Sequence, residues 1–570
     1  MMVPETPSAR KHEGSRAETQ RFLLLSALIG ICTGLLVVCF HATIELIAWA
    51  VDDAAAVPAL RVLVTGAGAA AAALIVKYVL PATRGSGIVQ TKSALYVSNG
   101  HIPAAAVPGK FLVCSISLGT GTPLGPEDPS LLMGAGMASW LGRTFGLSQR
   151  SMRLIAPIGA AAGIAAAFNT PITGVLFVVE EVLAAWDAAV LGSIVLAAVS
   201  AVVTTRVFLG DAPLFQVPEF SAIADPREAL MFVALGAGAG LFAAVYVHGV
   251  AFVRRRVSST SRVPPGVAPL VAGLLAGAVG VWLPEVLGPG YRAMDSALHG
   301  QYLWPTLALL GLAKLVTAMA AFGAGVPGGL FAPTLFLGVM LGGTVGALAP
   351  AALPFAASPP STYVLAGMVG VFAGVFRAPM SAIFMGFELS ATSAIIVPAM
   401  ITATLGYLTA RQLHRQSILD LVAEDEGAVL PSARTEREAE PMRIEVAMQS
   451  STFILAEGSE TAAAVGARVR GGAGSPATPI VIRASGAWCT IDPHALEATT
   501  ANGSGQLLIG QHPDLRPLAV VHPDEPLDTA LRHLARNPVL PVVSRLNQGQ
   551  LLGVVTLAGI HRAYGLSEMQ

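Results

Sequence analysis

Gly119-Thr-Gly-Thr-Pro-Leu-Gly-Pro-Glu-Asp-Pro-Ser-Leu-Leu-Met-Gly134 returns 204 residues later as Gly323-Ala-Gly-Val-Pro-Gly-Gly-Leu-Phe-Ala-Pro-Thr-Leu-Phe-Leu-Gly338. Gly119, Gly121, Pro123, Gly125, Pro129, Leu131 and Gly134 recur as Gly323, Gly325, Pro327, Gly329, Pro333, Leu335 and Gly338. A second match lies downstream at an offset of 208, where Phe168-Asn-Thr-Pro171 meets Phe376-Arg-Ala-Pro379 and Glu180 falls opposite Glu388. Two halves thus share one plan and are interrupted at the same places. In apolar chains, repeated halves with matching breaks put a binding site at the repeat interface. The match alone leaves open whether the second half is inverted.

Around these segments the chain is apolar. Runs extend over about 22–50, 60–80, 131–146, 152–183, 190–208, 228–252, 266–287, 305–322, 330–352, 362–376 and 379–412. About 20 apolar residues cross a bilayer as a helix. Several of these runs are shorter, and many contain Gly or Pro, the pattern of half-helices meeting within the membrane. Irregular backbone is tolerated at that depth only where protein buries it or a polar pathway needs it. Only 12% of the 570 residues are charged, against about 25% in soluble chains. From about Arg434 onward the composition is that of ordinary soluble protein.

The net charge of -1 gives no sign of a nucleic-acid partner. The four cysteines, Cys32, Cys39, Cys114 and Cys489, form no metal-ligand pair and read as small hydrophobes. The first apolar run is too long for a signal-peptide core. Arg10, Lys11 and Arg16 ahead of it place the N-terminus in the cytoplasm, as Arg254, Arg255 and Arg256 place a later loop. The expected location is a cell membrane, with several passes and both termini cytoplasmic.

A pathway through such a core favours an anion. A fixed Lys or Arg would be costly at that depth and would bind too tightly for turnover. Helix N-termini offer positive partial charge without that cost. Three segments supply a Gly-containing turn ahead of an apolar helix: Gly85 to Ile88, Gly125 to Pro129, and Gly328 to Pro333. Gly323-x-Gly-x-x-Gly328 also fits a dinucleotide fingerprint, but no strand precedes it and the context is a membrane span, so that reading is rejected.

These three segments resemble the signatures GSGIP, G(K/R)EGP and GxFxP of the CLC family of chloride channels and proton-coupled chloride antiporters. They stand here as Gly85-Ser86-Gly87-Ile88-Val89, Gly125-Pro126-Glu127-Asp128-Pro129 and Gly329-Leu330-Phe331-Ala332-Pro333. The resemblance covers most of residues 20–425. It implies an α-helical polytopic membrane domain over 21–425 with broken helices in two repeated halves, preceded by a short cytoplasmic segment, 1–20. It implies that Ser86 donates its hydroxyl to a central chloride and that the backbone N–H groups of Leu330 and Phe331 complete that site. Glu127 becomes the gate that competes with the anion and carries a proton. Glu181 becomes the inner proton relay, an acid that channels of the family often lack. Lys110 matches a buried lysine near the pathway. Glu180 and Glu388, being repeat-related, are expected to hold helices by hydrogen bonding.

The sequence departs from the family pattern at four places. Pro126 replaces Arg or Lys and removes a backbone N–H. Asp128 replaces glycine and sets a second carboxylate beside Glu127. Val89 replaces proline. Leu419, in Ser417-Ile418-Leu419, stands where a pore tyrosine is expected, so this inner-gate position cannot donate to an anion.

Residues 430–570 resemble a pair of CBS domains, a small α/β module. The clearer copy spans 522–564 and a more degenerate one spans about 444–497. β-like runs lie at Pro479–Ile482, Leu540–Val543 and Leu551–Thr556. Gly559 stands where nucleotide-binding copies carry an Asp, which points to a structural or regulatory module, with adenine nucleotide as the alternative ligand. The functional expectation is Cl⁻/H⁺ antiport, with no cofactor, no metal and no enzymatic reaction. Chloride and protons are the substrates, and the resemblance implies a homodimer in the lipid bilayer. A passive chloride channel is second; a fluoride exporter, a CBS-regulated cation transporter and an intramembrane enzyme follow. No His-Glu-x-x-His helix marks a metalloprotease.

Overall fold

Proline sets helix starts throughout the first 426 residues. Its fixed φ and missing N–H suit the first helical turn, and it occupies that turn in α2 (Pro58–Tyr78), α8 (Pro171–Phe177), α13 (Trp304–Gly323), α15 (Pro360–Phe376) and α16 (Pro379–Ser390). The remaining helices are α1 (Pro7–Ala55), α3 (Gly87–Tyr96), α4 (Ala106–Gly119), α5 (Glu127–Thr144), α6 (Gln149–Arg153), α7 (Ile155–Phe168), α9 (Ala188–Leu209), α10 (Ala229–Ser259), α11 (Val267–Trp282), α12 (Tyr291–Leu298), α14 (Phe331–Ala352), α17 (Ile396–Leu413) and α18 (Ile418–Asp425). The computed structural model describes residues 7–55, 57–183, 188–211, 215, 225–259, 264–352, 358–426, 442–450, 453–471, 478–535, 537–545, 547 and 549–564. It divides into one unit ending at Glu426 and another beginning at Gly427.

In the first unit, eight of the described helices are long and apolar enough to cross a membrane. Two apolar runs that read as continuous are divided. The run over 152–183 breaks after α7, where Asn169 adopts a left-handed conformation (φ 59°) ahead of Pro171, and it ends in a π-helical turn, Val178–Leu183. The run over 379–412 breaks at Ala391 (φ 53°). The polar N-terminal stretch differs as well, since α1 already begins at Pro7.

The repeat extends to backbone conformation and to helix caps. Arg377, 208 residues after Asn169, closes α15 in the same left-handed conformation (φ 63°). Its guanidinium binds the carbonyls of Tyr407 and His414 at 3.3 and 2.8 Å, which hold an otherwise unfavourable backbone. Glu388 accepts hydrogen bonds from the Ile172 N–H, the Thr173 N–H and the Thr173 hydroxyl. Glu180 accepts the equivalent three from Met380 and Ser381. Each glutamate therefore caps the N-terminus of a helix in the other half, where orphan N–H groups and the helix dipole favour an anion.

The halves join at Gly125 and Gly329. Each donates its N–H to the other's carbonyl, at 2.8 and 2.7 Å, in an antiparallel bridge. Two repeat mates bonded reciprocally in an antiparallel bridge are related by a local two-fold axis that passes between them, so chain direction reverses across the join. Glycine is needed on both sides. A Cβ at Gly329 would lie 2.9 Å from the Asp128 Cβ, and one at Gly125 would lie 2.9 Å from the Ala332 Cβ, the repeat-related contact.

The second unit has a four-stranded sheet in the order β1 (Ile454–Glu457), β2 (Ile480–Ala484), β3 (Ala487–Thr490) and β4 (Arg516–Pro517), and a hairpin of β5 (Val539–Val543) and β6 (Leu551–Thr556). β1 and β2 are parallel and β2 and β3 antiparallel. Ser485 and Gly486 join the latter pair with positive φ at both positions, as a two-residue primed turn requires. One core gathers Ala456, Val465, Ile480, Ile482, Leu496 and Ile509. The other gathers Val521, Leu531, Leu540, Val542, Val555 and Ile560, together with Ile444 and Ala447. The segment around 444, read from sequence as the start of the first copy, thus packs into the core of the second.

Candidate functional site

The site is assembled from helix N-termini on either side of the Gly125–Gly329 join. At α3, Gly85 turns the chain (φ 90°) and Ser86 caps the helix, its Oγ accepting the Ile88 N–H at 3.3 Å. Lys110, buried on α4, donates to the carbonyls of Thr83 and Gly85 at 3.1 and 2.6 Å. Its charge is thereby tied to the turn that presents α3. Lys314, 204 residues on, does the same for α12 through the carbonyls of Val286 and Gly288.

α5 begins with two buried acids. Successive helical residues point about 100° apart, so the two diverge. Glu127 turns toward α12, where the Tyr291 hydroxyl donates to its Oε1. Glu127 is fully buried, and its Oε2 lies 2.1 Å from where a Cβ on Gly125 would be. Asp128 turns toward α3. Its Oδ1 accepts from the Ser86 hydroxyl at 2.9 Å and the Ile88 N–H at 3.1 Å, and its Oδ2 from the Gly87 N–H at 2.9 Å. A third acid, Glu426, accepts from the Ser86 N–H at 3.3 Å.

Leu330 immediately precedes α14 and Phe331 opens it, both buried. The Phe331 ring stacks on Phe376, with centroids 4.6 Å apart, and meets Phe177 edge-on at 5.0 Å. Phe168 and Phe372 complete the cluster. These rings come from α7, α8, α14 and α15, so aromatic packing from both halves fixes the first turn of α14.

Glu181 stands apart from this group. It sits in the π-helical turn after α8, buried, in an ion pair with Lys92 of α3. Lys92 lies six residues from Ser86, about 9 Å along the helix. Leu419 is buried in the first turn of α18, whose cap is a reciprocal pair between Ser417 and Asp420. α18 packs against α3 and α15. Among the described residues no cluster of three metal-ligating side chains occurs.

The structure thus joins Ser86 to Asp128, next in the chain to Glu127, and sets the Asp128 Cβ against the Gly329 turn ahead of α14. Four residues were missed as partners: Tyr291, Lys92, Glu426, and Asp128 in its bond to α3. Tyr291 had a signal. Gly288-Pro-Gly290 repeats Gly85-Ser-Gly87 at an offset of 203, which marks α12 as the counterpart of α3. Lys92 had one too, as a lone cation in a segment otherwise free of charge.

A family model described as voltage gated chloride channel matches residues 67–411, and a CBS domain model matches residues 514–565. The putative chloride channel protein ClcB-like of Ralstonia nicotianae is 33% identical over 411 residues, covering 70% of this chain and 95% of the relative. The H(+)/Cl(-) exchange transporter ClcA of Vibrio campbellii is 27% identical over 426 residues, covering 71% and 89%. Among solved structures, a slow cyanobacterial Cl-/H+ antiporter superposes with a TM-score of 0.66 at 24% identity, covering 71% of this chain and 98% of that one. A eukaryotic CLC transporter superposes with a TM-score of 0.74 at 17% identity, covering 95% and 98%. At these identities the two structures share the fold.

Proposed function

Because the chain belongs to the voltage-gated chloride channel family, CLC, with a C-terminal CBS domain, we propose that it moves chloride across a membrane in exchange for protons. The observation that carries this reading is the meeting of the α3, α5 and α14 N-termini at the Gly125–Gly329 join. Backbone N–H groups converge there, while the buried Lys110 is occupied by carbonyls. Such a site stabilises an anion through partial charges and still lets it leave.

Each residue then has a task. Ser86, Leu330 and Phe331 offer donors to chloride. Glu127 closes the pathway when ionised and opens it when it takes up a proton. Tyr291 holds its closed position. Glu181, paired with Lys92, which lies about 9 Å along α3 from Ser86, passes the proton toward the other side. Two carboxylates at different depths allow the proton route to diverge from the anion route. The chain works as a homodimer in a cell membrane with both termini cytoplasmic, and its CBS-like pair is regulatory or structural.

A passive chloride channel is the second reading, and one observation favours it. The Lys92 ammonium holds Glu181 in a buried ion pair, which occupies the carboxylate that would relay the proton. The test uses reconstituted protein. Under exchange, Glu181→Gln stops proton movement while chloride still flows, and Glu127→Ala stops coupled proton movement altogether. Equal chloride flux with no proton movement in the unaltered protein would establish the channel instead.

A further inference from the structure

Four donors at the entrance to α3 are already taken by carboxylates of this chain. Asp128 occupies the Ser86 hydroxyl, the Gly87 N–H and the Ile88 N–H, and Glu426 occupies the Ser86 N–H. Asp128 binds through both oxygens and is buried. Its charge is met by one hydroxyl, two backbone amides and the helix dipole, the same neutral donors that would hold a mobile anion. Among the described residues no ion pair joins Lys110 to Asp128, and the Lys110 ammonium is bound to the Thr83 and Gly85 carbonyls.

We propose that Asp128 is a tethered anion that fills the α3 cradle at rest and competes with chloride for it, so that Asp128, as well as Glu127, sets chloride affinity and turnover. This rests on the reading of the site as a chloride pathway. Adjacent acids on one helical turn are latched to repeat-related helices, Glu127 to α12 through Tyr291 and Asp128 to α3 through Ser86. Chloride reaches Ser86 only after the Asp128 side chain swings away. A ligand whose competent site is open for a fraction of the time binds more weakly by that fraction. A cradle held by Asp128 nine-tenths of the time would weaken chloride binding about tenfold.

The test compares full-length protein with Asp128→Gly and Asp128→Asn. Chloride binding is measured by calorimetry in detergent and chloride efflux from liposomes. The proposal expects Asp128→Gly to tighten apparent chloride affinity about tenfold and to speed efflux. A purely structural cap would lower thermal stability and leave affinity unchanged or weaker, which would overturn the proposal while the transport reading stands. Should the variants fail to fold, the unaltered protein labelled with ¹³C-aspartate answers by infrared difference spectroscopy. Saturating chloride should then shift an aspartate carboxylate band, and an unchanged band would overturn the proposal. Absence of chloride binding and efflux in the unaltered protein and in both variants would overturn the chloride reading together with this one.

Discussion

The Tyr291 hydroxyl donates to Oε1 of Glu127, joining the first residue of α12 to the first residue of α5. A hydrogen bond to a charged group contributes about 1.5–3 kcal/mol. Tyr291→Phe should therefore shift the balance between held and released Glu127 by about ten- to a hundredfold. Chloride efflux is expected to rise until another step limits it, with the ratio of chloride to protons unchanged. An efflux rate equal to that of the unaltered protein would remove Tyr291 from the gate.

Glu180 and Glu388 make the same three bonds in opposite halves, and so their losses should match. Glu180→Gln and Glu388→Gln each remove a charged helix cap, at a cost of about 1–3 kcal/mol. Thermal unfolding in detergent should fall by similar amounts in the two variants, while chloride-to-proton coupling in liposomes persists. Loss of coupling in one variant alone would assign that glutamate to transport.

Lys92 and Glu181 form a buried pair, which makes their mutations strongly non-additive. Lys92→Met alone leaves a buried carboxylate uncompensated and should destabilise by about 3–5 kcal/mol. The double variant Lys92→Met/Glu181→Gln should recover much of that loss. Additive effects in the double-mutant cycle would mean that the two side chains do not interact in the working protein.

In the second unit, Gly559 donates its N–H to Thr556 Oγ at 3.1 Å at the start of the last helix. A Cβ there would lie 2.7 Å from the Ala447 carbonyl and from Gln449 Nε2. Gly559→Asp should thus destabilise this core by about 1–3 kcal/mol without creating a nucleotide site. Titration calorimetry with ATP and AMP on that full-length variant checks this. Tight binding would show that the segment at 447–449 moves aside.

Much of the fold was legible because it rests on local chemistry written twice. Gly125 and Gly329 were visible as repeat mates, and the same match led to the expectation that Glu180 and Glu388 hold helices by hydrogen bonding, though not which helix ends they cap. The break after Phe168 was signalled by Asn169-Thr-Pro171 and its match at Phe376 to Pro379, whereas the break after Ser390, at Ser390-Ala-Thr-Ser393, carries no Gly or Pro to mark it. Asp128 was visible as a departure, but its partner was not, because 42 residues separate it from Ser86 and nothing in the spacing says which helix end it meets. Tyr291 and Lys92 are ordinary in isolation. Their significance comes from which carboxylate the fold brings beside them.

Uphill proton movement tests the central claim most directly. Protein in liposomes is given an outward chloride gradient with no proton gradient, and external pH is followed, with an uncoupler as control. The account expects chloride efflux to drive protons inward against the gradient that builds, and Glu127→Ala to abolish that movement. Chloride efflux with no pH change before uncoupler is added would contradict it.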